Sequence, residues 1–467
     1  MNFWQFAGVE PTAPAAIDET GQCHDYAALS ALVDRAAAIL GQLGEHKLVF
    51  LLAGNRIGCL VAYLACLRAG QVALLLPESI TDELLHGLTR HYQPDWLIRG
   101  TGASPADVPI DGTDLFLQAC NARGSVLLHP ELTLLLNTSG TTGSPRLVRL
   151  PARALNANAK AIASYLGLGP GERAITVLPM SYSYGLSIVN SHLASGGTLV
   201  LSGHGVMQKE FWATMREHAV TSLAGVPYTY QMLERIGLQR MNLPALRTLT
   251  QAGGRLDPRL ISSFADLACQ RGWRFFVMYG QTEATARISY VPPERLRDKI
   301  GSIGQAIPGG ELSVSEKTGE LVYRGENVML GYAESPADLL QGDELQGVLH
   351  TGDLGRRDEE GFFYVTGRLK RFIKLAGNRV GLDEVEQALQ QALKVPVAVA
   401  GEDDLLMAWL ESTDQGLADQ GSALLREHCG LHHSLFRVRC LTALPLLASG
   451  KTNYAALRSR GNDGPAV

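Results

Sequence analysis

The chain has 467 residues, 46% of them hydrophobic and 19% charged, with a net charge of -5. That length corresponds to about three domains or subdomains, with a core large enough to need no staples. The mild acidic balance lacks the basic footprint of a nucleic-acid-binding surface, so no nucleic-acid partner is expected.

The seven cysteines, Cys23, Cys59, Cys66, Cys120, Cys269, Cys429 and Cys440, are scattered and never spaced C-x-x-C. They argue against a disulfide framework or a zinc site and for a reducing, cytoplasmic setting. The start, MNFWQFAGVEPTAP, lacks the basic and apolar regions of a secretory signal. The most apolar stretch, Ile57–Leu76, is interrupted by Arg68, Gly70 and Gln71. It reads as a buried helix followed by a buried strand, and no membrane span is expected.

In chain order, Leu48–Ala53 reads as a strand, Ile57–Ala69 as a helix and Val72–Leu76 as a strand. Leu132–Leu136, Ala174–Leu178 and Thr198–Leu201 are further buried strands; Ser187–Leu193 and Lys209–Glu217 are helices. This alternation predicts α/β layers with largely parallel sheets. From about Gly310 the texture changes to short segments spaced by Gly and Asp, Glu311–Val314, Gly319–Arg324 and Phe362–Thr366, which read as smaller β units. A basic run, Lys370, Arg371 and Lys374, precedes a remainder the size of one small domain, ending in a loose tail, Gly461–Val467.

The most informative segment is LLLNTSGTTGSPRLVRL, Leu134–Leu150. A buried strand runs into Thr138, Ser139, Gly140, Thr141, Thr142 and Gly143. Glycines let backbone N–H groups turn inward and four hydroxyls add donors, a loop suited to the oxygens of a polyphosphate. It is not the G-x-x-x-x-G-K-[ST] loop, which speaks against a kinase or NTPase. The alternative for this segment alone is a polar surface turn, with the phosphate-binding reading favoured over it.

This loop resembles the phosphate loop of the acyl-adenylating superfamily, which contains acyl-CoA synthetases, adenylation domains of nonribosomal peptide synthetases, and beetle luciferases. The usual pattern is T-S-G-T-T-G-x-P-K-G; here Arg146 and Leu147 replace the Lys and Gly, keeping the charge but not its geometry. Further motifs follow in the superfamily's order. Tyr279-Gly280-Gln281-Thr282-Glu283 is similar to Y-G-x-T-E. Gly319-Glu320-Leu321, Gly325 and Gly331-Tyr332 are similar to a G-E-L stretch ending in G-Y. Thr351-Gly352-Asp353 matches T-G-D, Gly367-Arg368-Leu369-Lys370 resembles the hinge motif, and Pro445 with Ser449-Gly450-Lys451 resembles P-x-x-x-x-G-K.

The resemblance implies a large N-terminal domain, residues 1–369, of layered α/β subdomains plus a β-barrel-like subdomain. A small mobile α+β domain, residues 370–467, would follow, with the hinge at Lys370. It implies ATP and Mg²⁺ as cofactors and an acyl-AMP intermediate made from a small carboxylic acid. The acyl acceptor is then a phosphopantetheine thiol, of CoA or of a separate carrier protein. Glu283 would be the protein ligand of Mg²⁺, and Thr282 would bond the α-phosphate. Tyr279 would stack on adenine beside Gly253-Gly254, with Gly280 and Gln281 completing the motif. Asp353 would accept the ribose hydroxyls, with Arg368 on the other side. Lys451 would be the catalytic lysine of adenylation; Lys374 would assist thioester formation after the small domain rotates about Lys370.

For the acyl pocket, Tyr182-Ser183-Tyr184-Gly185-Leu186-Ser187 is the relevant stretch. Amino-acid adenylation domains carry F-D-x-S here, and the Asp pairs with the substrate's ammonium group. Gly185 stands in its place, which disfavours α-amino acids, since a buried ammonium without a partner is costly. Tyr182 is a gate or pocket wall, and one of Tyr182 and Tyr184 is alternatively core packing. Competing readings are a stand-alone amino-acid-activating enzyme, an oxidase of the luciferase type, and a non-catalytic nucleotide-binding relative. His350 reads as a strand cap, and His432-His433 lacks metal partners.

Overall fold

The computed structural model describes residues 2–100, 107–120, 126–137, 146–369, 371–375, 378–402, 404–427, 431–447 and 451–461. They fall into two compact units. The first contains the described residues as far as Leu312 together with Tyr323–Leu349; the second contains Ser313–Val322 and the described residues from His350 onward.

Two sheets organise the first unit. In the nine-stranded sheet, Arg173–Ile175, Ser222–Gly225, Thr248–Gln251 and Arg274–Tyr279 lie side by side and parallel. Parallel neighbours require crossovers, and the helices Pro227–Arg235 and Pro258–Arg271 supply two of them. The consequence is geometric. Gly225 pairs with Gln251 and Gln251 with Val277, so the carboxyl ends of these strands release their loops along one edge. Ligands of open α/β sheets bind at such an edge.

The eight-stranded sheet has Leu132–Asn137, Val72–Pro77, Leu48–Ala53 and Trp96–Arg99 as its parallel centre. Leu147–Pro151 returns antiparallel to Leu132–Asn137 and pairs on its other side with Gly331–Ala333, Val148 facing Tyr332. A shared core lies between the sheets, joining Val49, Ala73 and Leu134 of one to Ala16 and Leu199 of the other. The helix Ile57–Arg68 runs through that layer and is buried on nearly all sides, as a helix apolar all round must be. Among the described residues no helix is long and apolar enough to cross a membrane.

The predicted strand Ala174–Leu178 is realised only as Arg173–Ile175. The carbonyls of Thr176 and Leu178 accept instead from the Asn55 side chain, both at 3.2 Å, which draws the chain off the sheet. The helix expected over Ser187–Leu193 starts four residues earlier, spanning Ser183–Ala194. Gly185 lets the first turn lie against the carbonyls of Leu178 and Pro179; a Cβ would collide with both.

The strand Val348–Arg357, which enters the second unit at His350, and Phe363–Arg368 belong to an open four-stranded sheet, the half-barrel counterpart of the expected barrel-like part. A hairpin, Phe372–Leu375 with Asn378–Gly381, leads to a three-stranded sheet of Val397–Glu402, Leu405–Glu411 and Phe436–Leu441. The helices Leu382–Leu393 and Gly416–Glu427 contribute to its apolar core, which gathers Val385, Leu389, Val399, Ala408 and Leu425.

Arg149 fixes the edge of the eight-stranded sheet. Its side chain is fully buried and donates to the carbonyls of Tyr332 (3.1 Å) and Gln341 and to the Glu344 carboxylate. Removing it takes the donor from the part-buried Tyr332 and Gln341 carbonyls at once, whereas Glu344 is half exposed and can turn to water. Arg149→Met is therefore expected to cost about 2 kcal/mol or more. Glu344→Gln should cost less than about 1 kcal/mol, as for a solvent-screened pair. Urea unfolding midpoints of the two variants check this; equal losses would contradict it.

Candidate active site

The strand Arg274–Tyr279 ends on the Tyr279-Gly280-Gln281 bend and a short 3-10 turn, Thr282–Ala284. Gly280 permits the bend because a Cβ would meet the Ala286 carbonyl and Arg287 backbone. Thr285 (φ 54°) and Ala286 (φ 99°) follow in the left-handed region, a strained pair for residues with side chains. Asn327 holds them there. Its side-chain amide donates to the carbonyls of Ala284 (2.7 Å) and Arg287 (2.9 Å), and its own carbonyl accepts from the Thr285 hydroxyl (2.7 Å).

This bracing sets two side chains. The Thr282 hydroxyl lies 3.1 Å from that of Ser183, at the start of the helix Ser183–Ala194. The Glu283 carboxylate accepts a 2.8 Å bond from the Tyr332 hydroxyl through Oε1, and no described residue engages Oε2. Burial, and then the charge of Glu283, push the Tyr332 hydroxyl up, so it remains a neutral donor. The Arg146 guanidinium sits 3.6 Å from the centre of the Tyr332 ring, a cation–π contact for the residue that replaces the usual lysine. A carboxylate with one oxygen pinned and one open suits a hard cation that takes most of its ligands from phosphate and water. Among the described residues no three His, Cys, Asp or Glu side chains converge into an all-protein metal site. The open carboxylate oxygen of Glu283 is a hard donor of the kind Mg²⁺ takes.

Next to this turn, Gly253-Gly254 follows the strand Thr248–Gln251. Gly253 (φ +83°) lies against the Tyr182 hydroxyl and Val226, and Gly254 against Pro227. Gln251 braces the bend by donating to the Gly254 carbonyl at 2.9 Å. The two tyrosines divide: Tyr184 is 2% exposed, with its hydroxyl 3.0 Å from both Thr250 O and Oγ1, whereas half-buried Tyr182 faces the glycine bend. No carboxylate can occupy position 185 unless the Leu178–Pro179 backbone moves.

In the second unit, Asp353 and Arg368 face each other across their strands, with Arg368 Nε 3.0 Å from Asp353 Oδ1. Buried Glu320 braces the T-G-D segment by accepting from Gly352 N (2.8 Å), and its other oxygen lies 3.0 Å from His350. His350 thus lies within a strand, against Glu320, rather than capping one. Lys374 stands on the hairpin opposite Arg379. Arg371 is structural: it pairs with Asp383 and Glu386 and covers the Tyr454 ring at 4.2 Å. Lys451 lies on a tight loop, its carbonyl accepting from Leu447 N (2.8 Å), just before the helix Tyr454–Gly461. Thr138, Ser139, Gly140, Thr141, Thr142 and Gly143, and Lys370, lie outside the described residues. Sequence reasoning missed Asn327, Ser183 as the partner of Thr282, and Tyr332 as the partner of Glu283. Only Tyr332 carried a signal, its place in the G-Y motif.

Residues 3–333 match the sequence profile of the AMP-binding enzyme family. The sulfoacetate–CoA ligase of Cupriavidus necator is 30% identical over 346 residues, 69% of this chain and 66% of that protein, just short of two thirds of its length. The oxalate–CoA ligase of Arabidopsis thaliana is 27% identical over 78% of this chain and 77% of its own. Among solved structures, the o-succinylbenzoate coenzyme A synthetase of Bacillus subtilis in complex with AMP superposes with a TM-score of 0.79 at 24% identity, covering 99% of this chain and 98% of that one. ATP-bound MatB from Rhodopseudomonas palustris gives 0.76 at 23% identity, with 99% of each chain covered. The fold is thus shared along the full length and the family profile spans most of the sequence: the chain belongs to the AMP-binding enzyme family.

Proposed function

We propose that this protein is an ATP-dependent acid–thiol ligase. It activates a small carboxylic acid as acyl-AMP, releasing pyrophosphate, and then passes the acyl group to a phosphopantetheine thiol. The observation that carries this reading is Glu283, pinned by Tyr332 with one oxygen open, beside the Thr282 hydroxyl at the carboxyl edge of a parallel sheet. The relatives are named as CoA ligases, which favours CoA as acceptor; the arm of a separate carrier protein presents the same thiol. Free cysteines among the described residues accord with a cytoplasmic location.

In the first half-reaction a carboxylate oxygen attacks the α-phosphorus and the bond to pyrophosphate breaks. Two anions must meet, so catalysis is positioning and charge neutralisation. Glu283 would hold Mg²⁺, which when bound neutralises phosphate charge. Thr282 and the Thr138–Gly143 loop bond phosphate oxygens. Tyr279 and Gly253-Gly254 take the base, Asp353 and Arg368 the ribose, and Lys451 the incoming carboxylate and the bridging oxygen. In the second half-reaction the thiol sulfur attacks the acyl carbon and AMP departs. Lys451 and a long thiol arm both need the acyl–phosphate junction, so residues 370–467 rotate about Lys370 and present Lys374 instead. With glycine forced at position 185, the acid carries no α-ammonium to be paired there. The relatives' names, from sulfoacetate to feruloyl, span diverse acids, so the acid has to be read from the pocket.

The reading as a whole is checked by a carboxylic-acid panel with and without CoA. AMP and pyrophosphate are expected; ADP, or no turnover with any acid, would contradict it.

Glu283→Gln should slow pyrophosphate release on the order of 10²-fold. Tyr332→Phe, which only frees the carboxylate, should raise the Mg²⁺ concentration for half-maximal rate about tenfold. A Mg²⁺ titration of both variants checks this, and an unchanged Mg²⁺ requirement in Tyr332→Phe would remove Glu283 from the ion's shell.

The two half-reactions should separate by mutation. Lys370→Pro, fixing φ near about -65°, should keep first-turnover pyrophosphate release and lose thioester formation. Lys451→Ala should make little adenylate from ATP yet form thioester from acyl-AMP supplied ready-made. Both half-reactions are measured on both variants at matched stability; loss of the same half-reaction in both rules out domain exchange.

A further inference from the structure

Behind the strand-edge turn lies a small cavity of about 20 Å³, room for about one water molecule, between the nine-stranded sheet and the helices Ala152–Leu166 and Ser183–Ala194. Its walls include hydroxyls from Ser187, Ser191, Ser222, Thr248 and Thr250. Arg287 also lines it. That arginine is 2% exposed, and its Nε has no hydrogen-bond partner. Its Nη1 donates to the neighbouring Ala286 carbonyl at 3.1 Å, the Tyr165 hydroxyl is a further neutral partner of the guanidinium, and the guanidinium lies over the Tyr184 ring at 4.1 Å.

Arg149 is the other arginine buried outright among the described residues, and Arg68 and Arg371 are partly buried; these three are treated differently. Arg149 has Glu344, Arg68 has Asp34, and Arg371 has Asp383 and Glu386. Among the described residues no carboxylate pairs with Arg287. The groups around it supply no charge either: burial pushes the hydroxyls of Tyr165, Tyr182 and Tyr184 up and the His192 imidazole down, leaving all four neutral. A guanidinium cannot lose its proton to relieve this situation, so a buried one needs an anion. A planar fork with an open N–H matches a carboxylate.

We propose that Arg287 binds a second anionic group on the acid that this enzyme activates, so that its substrates are small dianionic acids rather than simple monocarboxylates. The proposal rests on the ligase reading above and adds the substrate class. Arg287 lies four residues after Glu283 on one braced turn, so an acid with its reacting carboxylate toward the nucleotide would extend its far end toward the cavity. The neutral hydroxyls would then bond the remaining oxygens. A stacking role for Arg287 on Tyr184 alone would need neither the cavity nor the unfilled Nε–H.

Two measurements decide. Pyrophosphate exchange is run with matched pairs, malonate against propanoate and succinate against butanoate. Thermal unfolding is followed with the same four acids at equal ionic strength, with and without AMP. Wild-type protein should favour a diacid about 10- to 100-fold in kcat/KM, the worth of a charged hydrogen-bonded pair. Arg287→Gln should abolish that ratio with the KM for ATP unchanged, and Arg287→Lys should keep part of it. If wild-type protein activates the monoacids as well as the diacids, the proposal fails and the ligase reading stands. If no acid supports exchange but a diacid raises the wild-type Tm and not that of Arg287→Gln, the anion site stands and the ligase reading falls. Neither exchange nor stabilisation removes both. The wild-type ratio and the Arg287→Lys variant keep the test decisive should Arg287→Gln not fold.

Discussion

Asn327 is the point on which the site depends. It is 3% exposed and fully engaged: its amide holds the Ala284 and Arg287 carbonyls, its side-chain oxygen accepts from Tyr323 (2.8 Å), and its main-chain oxygen accepts from Thr285. These bonds oppose the strain of two consecutive left-handed residues, each worth about 1–3 kcal/mol. Without them the turn would relax, and the chain from Thr282 to Arg287 would lose its fixed course. A network that satisfies every donor and acceptor can hold such a conformation, whereas a partly satisfied one costs more than it returns.

The turn can be short because the sheet beneath it is parallel. Strands released in register place successive loops along one edge, so Gly253-Gly254 and Tyr279–Glu283 are neighbours although some 25 residues separate them in sequence. The helix Ser183–Ala194 then brings Tyr182 and Ser183 to the same edge. That approach requires Gly185: the helix meets the Leu178 and Pro179 carbonyls with no room for a side chain. Glycine at position 185 is therefore a packing requirement.

The strands and helices with clean periodicity were legible. Leu48–Ala53 and Lys209–Glu217 have the bounds their sequences predict, because each buries a continuous run or a single stripe. The early start of Ser183–Ala194 was not legible, since its glycine is explained only by what it packs against. Tyr332 could be named from its motif but not joined to Glu283, because the hydrogen bond spans 49 residues of sequence and runs through strand pairing in the other sheet. Arg287 carried no signal at all. A lone arginine in sequence is a surface residue by default, and only its burial without a carboxylate sets it apart.

The two charged side chains of this turn meet different surroundings for a chemical reason. An acid being adenylated presents its reacting carboxylate to a nucleotide that already carries several negative charges. Any further anion on the same acid adds repulsion unless a cation receives it away from the phosphates. Glu283 contacts Tyr332 and Arg287 contacts Tyr184, so the turn separates a carboxylate suited to the cation that accompanies phosphate from a guanidinium suited to an anion. Both stand on the one turn that Asn327 braces. If the guanidinium receives that anion, discrimination at the far end of the acid and orientation at its reacting end would become one property, because an acid that failed to engage Arg287 would also lose the contact holding its other carboxylate in line for attack.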